Sequence, residues 1–445
     1  MHRQQNLYNK RTCLLAQTSP SMKVDCSAPC APAIAASIRN PDYRPPYSYW
    51  LARPISMSLR VQARSGSWLL SGTFIVSIKK SADFLKIKKE ICHLQGILKL
   101  GELVNPWRYK MNIRESFEER EFQELSPYAA HSRSSRGRDV YEPECDIRTV
   151  YQRDRDRILH SKAFRRLKDK TQVFLAPQGD HYRTRLTHTL EVSQTARTIA
   201  KALDLNEDLV EAIALGHDLG HTPFGHAGEA ALDEVCPEGF AHYKQSIRVV
   251  ELLEKEGRGL NLTWEVRDGI LNHRTSGNPH TLEGQIVRLC DKISYIHHDM
   301  DDAQRAGLIS EDDIPITIRV VLGGTTRERL NTLIHDIVQN SRERDRIVQS
   351  EEIAEAMRML RQLMFDSVYK SSVAKKEEEK AKWMLTELYE YYSKYTGKMP
   401  DEYQRLIARG EKKERVVCDY ISGMTDQYSM HQFEALFIPK AWAVY

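Results

Sequence analysis

The chain has 445 residues, 41% hydrophobic and 28% charged, which is ordinary for a soluble globular protein and leaves room for one large core or two smaller ones. Its net charge of +4 is unevenly divided: residues 1–110 hold 17 Lys/Arg against 5 Asp/Glu, and residues 111–445 hold 48 against 56. The larger part is therefore mildly acidic, so bulk charge gives no case for a nucleic-acid partner and any basic site for phosphates must be local. Eight cysteines are scattered without a CxxC pair, which argues against a zinc ribbon or a disulfide scaffold; Cys26 and Cys30 form a lone CxxxC. Reduced thiols in a cytoplasmic protein are the expectation. No run reaches the ~18 apolar residues of a membrane span, and the best, Trp68 to Ile78, is broken by Ser71, Gly72, Thr73 and Ser77.

Residues 1–110 mix Pro/Ser-rich text with short apolar and Lys-rich bursts and read as a poorly structured N-terminal extension, with Met111 as the expected natural start. Ile113 to Leu125 turns to charged, helix-favouring sequence. From about residue 146 helical patterns dominate, and the expected fold class is all-α. Arg185 to Leu203 carries Leu186, Leu190, Ala196, Ile199, Ala200 and Leu203 at helical spacing. Asn206 is an N-cap with Glu207 and Asp208 in the first turn, Leu209, Val210 and Ile213 form that helix's buried face, and Gly220 suits its end. Thr222-Pro223 has the form of a cap and first turn for the next helix. Glu283 to Asp302 makes another, and 326–365, 376–394 and 401–432 read as further helices.

Eleven of the 16 histidines fall between residues 160 and 298. His217 lies one turn beyond Ile213 and two beyond Leu209, so it extends a buried face, with Asp218 beside it. A buried carboxylate next to a buried imidazole is costly unless it is paired or bound to a metal. His188 lies on the Arg185–Leu203 helix. Asp291, Tyr295 and Asp299 are spaced i, i+4, i+8 and share one stripe. Imidazole and carboxylate donors suit a divalent ion such as Mg²⁺, Mn²⁺, Co²⁺, Fe²⁺ or Zn²⁺. His-Asp also occurs at 298–299 and 335–336. His335-Asp336 reads as a solvated helix face, and Asp299 looks better suited to substrate than to metal.

His188, His217-Asp218 and Asp291 resemble the H…HD…D signature of HD-superfamily phosphohydrolases. A longer resemblance, to the deoxyguanosine triphosphate triphosphohydrolase family, runs from Leu125-Ser-Pro-Tyr128 and Ser135-Arg-Gly-Arg138 through Arg153 to Ile158, Ser161 to Leu167, Lys170 to Phe174 and Arg185 to Val192. It continues over Gly216 to Glu229 and Asp291 to Asp302 and closes on Asp419 to Asp426. The resemblance implies an HD helical core over about 180–305 and a C-terminal helical part over about 320–445. It also implies hydrolysis of a deoxynucleoside triphosphate to deoxynucleoside and inorganic triphosphate, with the metal on His188, His217, Asp218 and Asp291.

By the same resemblance His226 and Glu229, i and i+3 on one helix, carry the proton transfers; a helix-capping pair is the competing reading. His221 and His242 resemble lining positions of the phosphate pocket. His242 departs in context, with His242-Tyr-Lys-Gln245 where the family pattern is His-Asn-x-Gln. Arg166, Arg185 and Lys292 are the basic residues placed near the phosphates, and Tyr295 and Asp299 those that hold the sugar. A tyrosine against C2′ would exclude a ribose hydroxyl sterically. A homo-oligomer and an allosteric nucleotide accompany such a reading. Another HD nucleotide phosphohydrolase, or a catalytically silent nucleotide sensor, is the alternative.

Overall fold

The computed structural model describes residues 112–172, 183–369 and 372–440, together with the backbone of three strands nearer the N-terminus. The chain divides into two units, Met1–Lys110 and Met111–Tyr445. In the first, β1 (Met22–Lys23), β2 (Ile55–Gln62) and β3 (Ser71–Ile78) pair antiparallel in that order, with Ile55 opposite Ile78. β2 reads Ile-Ser-Met-Ser-Leu-Arg-Val-Gln, a strict two-residue alternation submerged in the mixed composition around it. Cys26, Cys30, Val173 and Phe174 lie outside the described residues.

The second unit is all-α; beyond its helices, a single bridge joins Thr171 and Thr184 among the described residues. The helices that frame the site are α1 (Ile113–Glu124), α2 (Val150–Leu159), α3 (Lys162–Arg166), α4 (Arg185–Ala202), α5 (Glu207–Gly216), α6 (Gly225–Val235), α7 (His242–Arg248), α8 (Trp264–Asn272) and α9 (Leu282–Arg305). They are followed by α10 (Ile316–Leu322), α11 (Thr326–Ser341), α12 (Glu351–Met364), α13 (Ser372–Lys394), α14 (Asp401–Ala408), α15 (Lys413–Ser422) and α16 (Asp426–Phe437). The single stretches expected over 326–365 and 401–432 are each interrupted. Ser350 caps α12 through the Ile353 amide, and Gly410, at φ +100°, ends the turn after α14. No helix among the described residues is long and apolar enough to cross a membrane.

Asn206 caps α5 as expected, its Oδ1 accepting the Leu209 amide at 3.2 Å. Thr222 does not cap the next helix. Its hydroxyl donates to the Gly225 carbonyl, and α6 instead starts behind Phe224, which is left-handed at φ 60°. Two carboxylate contacts hold this entry: Asp426 Oδ1 accepts the Phe224 amide at 3.0 Å and Asp426 Oδ2 accepts the Thr171 amide at 2.9 Å. Of the stripe expected on α4, Ala196, Ile199 and Ala200 are buried, but Leu190 is 49% exposed, and His188, Thr189 and Val192 are buried as well. Polar residues take that face because it looks into the site.

One core cluster gathers Ile158, Ile199, Leu209, Ile213, Ile270, Ile286, Leu333 and Leu360 around α2, α4, α5, α8, α9, α11 and α12. A second joins Phe224 and Leu232 of the α6 region to Leu385, Leu388, Val416 and Ile421 of α13 and α15. Burying each such aliphatic side chain contributes roughly 1.5–3 kcal/mol. Helices α5 and α8 cross closely because each offers a glycine: a Cβ on Gly269 would stand 2.5 Å from Ile213 Cδ1, and one on Gly216 would stand 2.5 Å from Ile270 Cδ1. A side chain at Gly220 would run into the Ser246 amide of α7, so this glycine serves close approach more than helix termination.

Candidate functional site

Helices α4, α5 and α9 pack on one another and bring together the four residues expected to hold a metal. His188 Nε2 lies 3.1 Å from Asp291 Oδ1. His217 Nε2 lies 3.6 Å from the same oxygen and 3.5 Å from Asp218 Oδ1. His188, His217 and Asp218 are almost wholly buried, and the Asp291 side chain is 27% exposed, the open side of the group. His217 Nδ1 donates to the Ala214 carbonyl at 2.6 Å, while Nε2 has no hydrogen-bond partner. An orphaned buried nitrogen between two carboxylates, with a second imidazole 5.8 Å away ring to ring, fits a divalent cation.

The charges agree. Burial opposes ionisation of Asp218, but His217, His221 and Arg185 hold its carboxyl well below the usual range. Burial likewise works against Asp291, and the two imidazoles overcome it. Burial lowers the His217 pKa, yet Asp218 and Asp291 bring it up to about 9, so in the absence of a cation a proton occupies this position. A metal would replace that proton.

From His217 a line of imidazoles leads outward. Ring centroids are 5.1 Å apart from His217 to His273, 5.3 Å from His273 to His242 and 4.1 Å from His242 to His221, the last pair stacked. His226 follows at 6.0 Å, and Tyr295, back on α9, stands 6.1 Å from His226. His226 is the solvent-facing member, with its side chain 60% exposed. Glu229 is 3.8 Å from His226 Nδ1 but closer to His242, whose Nδ1 lies 2.9 Å away and whose backbone amide it also accepts at 2.9 Å. The expected His226–Glu229 pair is thus a trio with His242. Burial acts to raise the Glu229 pKa, and the facing His226 with the hydrogen-bonded His242 holds it far below the normal carboxylate range. His221 is pushed well below the ordinary imidazole range by burial, Arg185 and His242. The ring is therefore neutral, with Nε2 3.4 Å from Asp218.

The other predicted residues separate. Arg185 is buried and donates to Asp218 Oδ2 at 2.8 Å, so it is tied to a candidate metal ligand. Arg166 is not brought to that group; it lines a small cavity of about 30 Å³ with Lys170, Tyr403, Ser422 and Gly423. Lys292 is half-buried, and burial together with Arg361, Arg358 and Arg288 lowers its pKa. Four cations thus cluster on α9 and α12. Asp299 is buried farther along α9.

Sequence reasoning missed His273, His298, Glu191 and the three arginines around Lys292. The histidine density was the only available signal for the first two. Several stretches of the family resemblance turn out to be structural: Ser135 Oγ donates to Glu265 at 2.7 Å, Arg138 pairs with the buried Asp154, and Asp419 accepts from Gln245 and Arg248.

Residues 185–296 match the model of the HD domain, and residues 347–435 match that of the phosphohydrolase-associated domain. The chain is 57% identical over 332 residues to a deoxyguanosinetriphosphate triphosphohydrolase-like protein of Caldanaerobacter subterraneus subsp. tengcongensis, covering 75% of this chain and 98% of the relative. The like-named protein of Clostridium tetani is 47% identical over 342 residues, covering 74% and 98%. That of Ralstonia pickettii is 39% identical over 371 residues, covering 71% and 95%. With an HD segment that contains all four candidate metal ligands, the chain belongs to the deoxyguanosinetriphosphate triphosphohydrolase-like family of HD-domain proteins.

Proposed function

We propose that this chain hydrolyses deoxynucleoside triphosphates at the α-phosphorus, releasing a deoxynucleoside and intact inorganic triphosphate. The observation that carries the reading is the continuity of the site. A buried two-histidine, two-aspartate group leads through an imidazole line to the exposed His226, and Tyr295 and the Lys292 patch stand on the same helix as Asp291. His188, His217, Asp218 and Asp291 would hold a divalent ion, which would supply a Lewis acid and activate water for attack.

The chain's own residues do the rest. His226 gives a proton to the 5′-oxygen as its bond to phosphorus breaks, and Glu229 and His242 form the charged support behind it. His221, neutral and buried, offers a hydrogen bond to a phosphoryl oxygen. Lys292 with Arg288, Arg358 and Arg361 balances about four negative charges of the triphosphate. Tyr295 packs against C2′ and Asp299 accepts from the 3′-hydroxyl, which selects deoxyribose without a dedicated polar contact. A cytoplasmic homo-oligomer, with a second nucleotide acting as effector, completes the proposal; light scattering with and without added dNTP tests it.

The activity is tested by giving the protein each dNTP and NTP with Mg²⁺, Mn²⁺, Co²⁺ or Fe²⁺ and separating orthophosphate, pyrophosphate and triphosphate. Triphosphate release from dNTPs alone is expected. Orthophosphate or pyrophosphate as the sole product would make the chain a different HD phosphohydrolase, and equal turnover of NTPs would remove the role given to Tyr295.

A further inference from the structure

The two imidazoles of the metal group are held by different means. His217 donates from Nδ1 to a carbonyl of its own helix, which turns Nε2 toward the metal position. His188 meets another side chain: its Nδ1 lies 3.4 Å from Nδ1 of His298, and His298 Nε2 lies 2.7 Å from Glu191 Oε2. Glu191 is held in turn by Arg183, 3.4 Å away, and Arg183 donates to Asp301 at 2.8 Å and Asp302 at 3.1 Å.

The protons along this string follow from what each group is able to do. A carboxylate only accepts, so His298 carries a proton on Nε2. In a neutral ring its Nδ1 is then an acceptor, and two facing Nδ1 atoms bond only if His188 supplies the proton. His188 therefore keeps Nε2 bare, 3.1 Å from a carboxylate oxygen of Asp291. In that tautomer the bare nitrogen and the anionic oxygen both offer a lone pair to a cation. We infer that His298 and Glu191 are positioning residues, a string anchored by Arg183 that fixes the tautomer and ring plane of His188 for metal binding. The inference rests on the reading of His188, His217, Asp218 and Asp291 as the metal set.

The test measures Mn²⁺ dissociation constants and the visible absorption of bound Co²⁺ on the full chain. Glu191→Ala and His298→Ala are each expected to weaken Mn²⁺ by roughly 10–100-fold and to shift the Co²⁺ bands, the usual scale for losing an outer partner of a metal-binding histidine. The double variant should be no weaker than the worse single one, because the two act through one contact. Glu191→Gln, whose amide oxygen still accepts from His298, should recover most of the affinity. The Glu191 side chain is 40% exposed, so its replacements leave the core intact and carry the test even if His298→Ala fails to fold. Wild-type affinity and spectrum in Glu191→Ala, or losses that multiply in the double variant, would overturn the inference. His217→Ala separates the two levels. If it keeps full metal, the metal set is wrong; if it loses metal while Glu191→Ala does not, only the string fails.

Discussion

Replacing Asp218 tests the centre most directly, because this carboxylate serves two masters. Its Oδ1 faces His217 at 3.5 Å and His221 at 3.4 Å, and its Oδ2 takes Arg185 at 2.8 Å. The Arg185 and Asp218 side chains are 2% and 5% exposed, so Asp218→Ala strands an almost fully buried guanidinium whose remaining contact is the Gln172 carbonyl at 3.4 Å. Breaking such a pair from one side costs about 3–5 kcal/mol, a large share of the ~5–15 kcal/mol that holds a typical domain together. At about 2 °C per kcal/mol for a unit of this size, the metal-free melting temperature should fall by about 6–10 °C. Asp218→Asn keeps an oxygen for Arg185 but not the charge, so it should melt closer to the wild type while still losing the metal. The assay is metal per chain by elemental analysis beside melting curves in chelator. If Asp218→Asn binds metal like the wild type, the ligand assignment is wrong. If Asp218→Ala melts like the wild type in chelator, the stability reasoning is wrong.

Asp336→Ala, in a His-Asp pair away from the site, should retain metal and activity and lose only about 1 kcal/mol, since Asp336 accepts the Ser350 amide at 3.0 Å and binds Asn340 at 2.8 Å; lost metal would show that the dipeptide itself matters. His226→Ala should keep metal and lower kcat by roughly 10²-fold or more, with a strongly non-additive cycle against Glu229→Ala; simple multiplication of the two losses counts against a shared unit. Glu142 accepts from Arg157 at 3.2 Å and from Asn261 at 2.8 Å, and these contacts bring its carboxyl down to about 2 against partial burial. Because the folded pKa lies below the unfolded one, its stabilisation is complete above about 4.5 and vanishes as pH falls to about 2. Glu142→Gln should therefore flatten that acid limb in urea titrations, and an unchanged limb would dismiss the clamp. A chain beginning at Met111 should retain melting temperature and turnover, because both core clusters lie within Met111–Tyr445; a large fall in either would show that residues 1–110 contribute.

What was legible in the sequence was whatever repeats with a helix period. His217 follows Leu209 and Ile213 down one face, so its burial could be read in advance, and Asp291, Tyr295 and Asp299 share a stripe for the same reason. Partners from other elements leave no such trace. Glu229 was matched with His226, its neighbour three residues back, although its hydrogen bonds go to His242 across a helix boundary. His273 enters from α8 and Arg358 and Arg361 from α12, far away in sequence. Local propensity also misjudged the start of α6. Thr222-Pro223 has the right chemistry for a cap, but a carboxylate 202 residues later takes the Phe224 amide and moves the start to Gly225. On α4 most of the apolar stripe was read correctly, since Ala196, Ile199 and Ala200 are buried, but Leu190 points to water and polar Thr189 is buried instead.

That distant carboxylate has a consequence for heredity. A left-handed Phe224 costs roughly 1–2 kcal/mol, and Asp426 is what secures it at the doorway of the helix that carries His226 and Glu229. Lys170, whose ammonium bonds the His221 and Ser422 carbonyls, adds a second stitch between the same parts. The two family models leave a gap between residues 296 and 347, as though the segments on either side were interchangeable pieces. Mechanically they are not. A hybrid that borrowed the later segment from a distant relative without an aspartate at this position would inherit all four candidate metal ligands and a displaced His226.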